Sequence, residues 1–161
     1  MSGSAILVII LSIGMVALIA WASAKSKKQL SDQGKIVERK AMFYEEKAVF
    51  STKASYDSIV SLVSKRDYKE IKATVERESS SAILIKSTLG WNAVLENVGM
   101  RDGKNVIAFH FTAWKTEYGR PANEISMNYI MTDIEKTILS LDQSATVERQ
   151  KMQFKSKTNF I

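Results

Sequence analysis

The sequence predicts an α+β fold: an N-terminal transmembrane helix followed by a small antiparallel sheet of about five strands, covered by a long C-terminal amphipathic helix. Three observations predict it. Twenty consecutive uncharged residues run from Ala5 to Ala24. Short stretches rich in β-branched and aromatic residues follow one another between residues 47 and 118. Met127, Ile130, Met131, Ile134, Ile138 and Leu141 recur at spacings of three and four, which makes one apolar stripe on a helix.

The first element is the apolar run. At about 1.5 Å per residue, a helix over residues 5–24 reaches across roughly 30 Å of hydrocarbon. Trp21 stands near its end, where an indole prefers the headgroup boundary, and Lys25, Lys27 and Lys28 follow at once. Residues 1–4, a short extracytoplasmic tail, hold no basic side chain. The positive-inside rule therefore predicts a single-pass signal-anchor protein of the cell membrane, N-terminus out and soluble domain cytoplasmic. The alternative is an exported domain behind a cleaved signal peptide, since Ala22-Ser23-Ala24 fits a small-x-small cleavage site. Against it, no positive region precedes the run, and the run exceeds the about 7–15 residues of a signal core.

Residues 25–46 are charged and mixed, broken by Gly34, and read as a helical stalk. Residues 47–53 alternate as a short strand, and Ser55 then caps a helix with Asp57 in its first turn and Ile59, Val60, Leu62 and Val63 as its buried face. Three strands are expected over 68–78, 82–88 and 91–98, separated by Ser79-Ser80-Ser81 and by Gly90. Arg101-Asp102-Gly103-Lys104 turns the chain into a long strand from Asn105 to Tyr118. Gly119-Arg120-Pro121 ends that strand and opens the long helix, with Pro at its first position, to about Leu141. Residues 47–144 thus make one α+β domain, and residues 145–161 a basic tail or an edge strand. This element order, over roughly residues 47–142, resembles that of the helix-grip proteins, where a curved sheet wraps a long C-terminal helix around an apolar cavity.

Charge and composition narrow the function. The net charge of +6 is uneven: the excess is +3 in residues 25–47, zero in 48–144 and +3 in 145–161. A nucleic-acid binder carries its positive charge on the folded body, so nucleic acid is not expected as a partner. About 100 residues support one modest core, which rules out a two-lobed enzyme. The absence of Cys removes disulfides, thiolate nucleophiles and Cys-ligated metals. No Gly-x-x-x-x-Gly-Lys loop, Gly-x-Gly-x-x-Gly turn, Gly-x-Ser-x-Gly elbow or His-Glu-x-x-His helix occurs. No cofactor, metal or catalytic residue is called for, and the carboxylates Glu76 and Glu78 read as a solvated face.

The expectation is a non-enzymatic binding or interaction domain presented at the membrane surface, with membrane lipid, another membrane protein or an apolar ligand as partner. The candidate ligand-binding residues are Trp91, Phe109, His110, Phe111, Trp114, Met127 and Met131, which would line a cavity between sheet and helix in a carrier or sensor. The candidate membrane-surface residues are Lys25, Lys27, Lys28, Arg149, Lys151, Lys155 and Lys157, because basic side chains near an anionic leaflet are attracted to it.

Overall fold

A computed structural model describes residues 24–152, and the chain divides into two compact units, residues 1–38 and 39–161. In the first unit residues 24–32 form helix α1. Gly34, at φ 65°, closes it: its N–H bonds the Ser31 carbonyl at 2.8 Å, and the Lys35 N–H bonds the Leu30 carbonyl at 2.8 Å. Glycine takes this left-handed backbone without a Cβ clash, which makes it the usual helix stop.

The second unit is α+β. Its strands are β1 (Glu46–Thr52), β2 (Ala73–Arg77), β3 (Ala82–Ser87), β4 (Trp91–Arg101), β5 (Lys104–Trp114), β6 (Thr116–Glu117), β7 (Arg120–Pro121) and β8 (Thr146–Lys151), and its helices are α2 (Tyr56–Lys65) and α3 (Glu124–Leu141). Six strands form one antiparallel sheet in the order β2-β3-β4-β5-β1-β8, and β6 and β7 form a separate ribbon. Registers such as Ala48↔Phe109, Leu95↔Phe109 and Ile83↔Leu95 put alternate residues on one face. That face meets Ile59 and Val63 of α2 and Met127, Ile130, Met131, Ile134 and Ile138 of α3 in a single core. Side chains at the intervening positions, among them Lys47, Val49, Val94, Glu96 and His110, point the other way, as the two-residue period of a strand requires.

Two polar networks hold α3 to the rest of the second unit. Arg39, with its side chain only 6% exposed, bonds Glu135 through Nη1 and Nη2 at 3.1 and 2.7 Å, and also Asn128 through Nε at 2.9 Å and Thr132 through Nη2 at 3.0 Å. Arg149 of β8 pairs with the same Glu135 carboxylate. On the far side, Asp133 receives the Tyr68 hydroxyl at 2.7 Å and pairs with Arg66 beyond α2.

Several expectations are corrected. No helix among the described residues is long and apolar enough to cross a membrane. The span expected over residues 5–24 lies, apart from Ala24, outside the described residues, and α1 carries Lys25, Lys27, Lys28 and Asp32, a pattern that hydrocarbon excludes. The transmembrane, single-pass and signal-anchor part of the expected fold is therefore withdrawn. The sheet has six strands, because part of the basic tail is β8, whose Arg149 finds Glu135 on α3. The long helix is followed by a strand and so is not C-terminal, which removes the helix-grip outline. Residues 69–71 form a 3-10 turn where a strand is expected, since Tyr68 turns inward to reach Asp133. Leu62 and Leu141, assigned to buried stripes, are exposed, while Asn128 is buried as a partner of Arg39.

Candidate functional site

Six of the seven expected ligand residues belong to or pack against the core, and His110 stands apart from them. Trp91, Phe109, Phe111, Met127 and Met131 are buried in the core, each with other side chains as neighbours. Phe111 packs edge-on against Phe109 at 5.3 Å, Trp91 at 5.8 Å and Phe43 at 6.4 Å, the geometry that ring quadrupoles favour. The Trp91 indole N–H donates to Ser126 Oγ at 2.7 Å, and Ser126 donates on to the Asn123 carbonyl at 2.8 Å, which ties the start of α3 to the sheet. Trp114 lies half-buried at the sheet end, edge-on to Tyr44 at 5.3 Å. His110 is on the opposite face of the sheet from the core residues.

There, His110 stands beside an ion pair. The Lys47 ammonium bonds Glu96 Oε1 at 2.7 Å, and the His110 Nδ1 lies 4.0 Å from that same oxygen. Nδ1 is buried and has no hydrogen-bond partner. Burial holds the imidazole below its ordinary pKa of 6.5, Lys47 adds to the depression, and Glu96 opposes it. A general base needs an orienting partner in hydrogen-bond contact, and Glu96 is engaged by Lys47. Among the described residues no three His, Asp or Glu side chains gather to hold a metal.

Lys25, Lys27 and Lys28 are exposed on α1, Arg149 is paired with Glu135 and Glu46, Lys151 sits opposite Glu46 in the β1–β8 register, and Lys155 and Lys157 lie outside the described residues.

The end of the sheet near the β6–β7 ribbon carries a site that the sequence reading missed. Gly119-Arg120-Pro121 does not open α3; Arg120 and Pro121 form β7, paired with Glu117 and Thr116. Tyr118 and Gly119 make the two-residue turn at φ 51° and 77°. Tyr118 is fully exposed, at 105% of its reference area, so no packing accounts for a bulky side chain in the left-handed region. Met42 shares both properties, with φ 64° and 51% exposure. Next to this turn lies a cleft of about 290 Å³ lined by Ala41, Met42, Tyr44, Gly119, Arg120 and Glu124. Burial raises the pKa of the Tyr44 hydroxyl, Glu45 and Glu124 add to the rise, and Arg120 opposes it. A neighbouring cleft of about 310 Å³ is lined by Trp91, Asn92, Trp114 and Lys115, so the touching rings of Tyr44 and Trp114 stand one in each wall. The usable signal was the Tyr-Gly dipeptide between two short polar pairs, which is a hairpin-turn pattern with an unusual first residue.

No protein-family model, curated protein or solved structure matches the chain.

Proposed function

We propose that residues 39–152 form a non-enzymatic interaction module that holds a protein partner at the end of the sheet, where Tyr118 adjoins, through Gly119, the cleft lined by Met42, Tyr44 and Arg120. The observation that carries this reading is Tyr118: a fully exposed aromatic kept at positive φ, which costs about 1–2 kcal/mol for an L-residue and returns no contact within the fold. Strain of this kind collects at ligand clamps and switch regions. Tyr, Met and Arg are also the side chains enriched where proteins meet, because they offer large contact area and, for Arg, directed hydrogen bonds. The non-enzymatic part is supported by His110, whose Nδ1 is out of hydrogen-bond reach of Glu96.

The test is a photo-reactive benzoylphenylalanine in place of Tyr118 in the full-length protein inside cells, with Ser61 of α2 as the control position. A discrete adduct from position 118, absent from position 61 and weakened by Arg120→Glu, is the expected result. Equal labelling at both positions, or none at 118, removes the reading.

A small-molecule reading rests on the cleft of about 310 Å³ beside Trp91 and Trp114, a size at the lower end of ligand pockets. Native mass spectrometry of the purified protein would then show a bound species that Trp114→Ala abolishes.

A further inference from the structure

On the sheet face opposite α2 and α3, two side chains compete for one carboxylate oxygen of a third, the three standing on three neighbouring strands. Lys47 of β1 already bonds Glu96 Oε1 of β4, and His110 of β5, between them, points its Nδ1 at that oxygen from 4.0 Å. A buried nitrogen with no partner loses its hydration without compensation, so it needs a reason. We propose that His110 is a proton-operated switch: when the ring is protonated, its Nδ1–H takes Glu96 Oε1, and the Lys47 ammonium is released into solvent.

The geometry supplies each requirement of such a switch. The Nδ1 to Oε1 gap is about 1 Å longer than a charge-assisted hydrogen bond, a distance that rotation of a half-exposed Glu side chain can close. A neutral imidazole does not repay Glu96 for leaving Lys47; an imidazolium does, because it brings both charge and a directed donor. The charged side chains facing the ring are Glu96 on β4 and Lys47 on β1. On its own strand the outward neighbours are Ala108 and Thr112, which do not titrate. Farther out on the same face, Glu148 of β8 lies opposite Val49 and accepts from Gln150 at 3.2 Å, and Lys86 of β3 is paired with Glu76 of β2 at 2.6 Å. The preference of this position for the neutral ring sets the resting state. Acidification then changes the local charge of this face from zero to +1 and frees a lysine at its centre. The device is independent of the cleft beside Tyr118, since it shares no residue with it.

Nuclear magnetic resonance titration of the full-length protein follows the His110 ring and the Lys47 side chain together. In the wild type the Lys47 signals are expected to move with the same midpoint as the His110 ring, and that step is expected to vanish in His110→Gln. Glu96→Gln should lower the His110 midpoint, and Lys47→Met should raise it, each by about half a pH unit or more. A Lys47 side chain that stays still while His110 titrates overturns the switch, as does a His110 midpoint unmoved by both substitutions. Should either variant fail to fold, the wild-type Lys47 step decides by itself.

Discussion

Tyr118 and Asp102 hold the same backbone conformation in the same kind of turn, φ 51° and 52°, each followed by a glycine at positive φ. Both turns join antiparallel strands by two residues, β4 to β5 and β6 to β7. Asp suits the left-handed region because its short side chain tolerates it, and Tyr does not. Replacing Tyr118 with Asn is therefore expected to stabilise the domain by about 1 kcal/mol in urea unfolding, while weakening co-purification of the partner that the position-118 probe captures. Asp102→Tyr should cost a similar amount. A destabilised Tyr118→Asn variant would show that the ring serves the fold, and the proposed interaction surface would lose its main support.

Arg39 is the cation shared by Asn128, Thr132 and Glu135 of α3, and its guanidinium also lies 5.7 Å from the centre of the Phe43 ring. Arg39→Met should destabilise by about 3 kcal/mol, because Asn128 and Thr132 are left buried with fewer partners. Arg149 still neutralises Glu135, so Arg39→Met combined with Glu135→Gln should cost less than the sum of the two single changes. Strict additivity in that double-mutant cycle would mean that the two side chains do not act as a unit.

In the core, Phe109→Ala should cost about 3–5 kcal/mol, the transfer term plus the cavity left among rings that cannot close over it. Trp91→Phe should cost less, about 1–2 kcal/mol, since it removes the indole N–H bond to Ser126 but keeps most of the packing. Chemical denaturation of the two variants would settle the order.

Stability should fall with acid in two steps. His110 titrates below its ordinary 6.5 in the folded state, chiefly through burial, so the unfolded chain binds the proton first. Its contribution is complete above that value and is lost as the pH falls toward the folded pKa. Asp142 is held well below the usual carboxylate range by the Ser144 hydroxyl, the Lys53 N–H and the Thr52 hydroxyl. Its contribution is present above the ordinary carboxylate value and is lost only at lower pH. Melting temperature against pH should show the upper step vanish in His110→Gln and the lower step shrink in Asp142→Asn.

The sequence by itself determined the local elements whose causes are local. Ser55 caps α2 by accepting the Ser58 N–H at 3.2 Å, residues 82–87 alternate as a strand, and Asp102-Gly103 turns β4 into β5. These depend on side chains within a few residues, and periodicity or turn chemistry reports them. The remaining features depend on contacts between distant residues. Residues 146–151 could be read as a tail or an edge strand and become the strand because β1 offers an edge and Glu135 a partner for Arg149. Asn128 is buried because Arg39, far away in sequence, reaches it. Pro121 sits in a ribbon, and α3 starts at Glu124, where the Asn123 amide bonds the Leu89 carbonyl at 2.6 Å. The candidate site is of the same kind: Met42 and Arg120 are distant in the chain and meet only where the sheet ends. Pairing between remote residues leaves no period in a sequence, since its energy comes from desolvated partners that only the folded chain brings together.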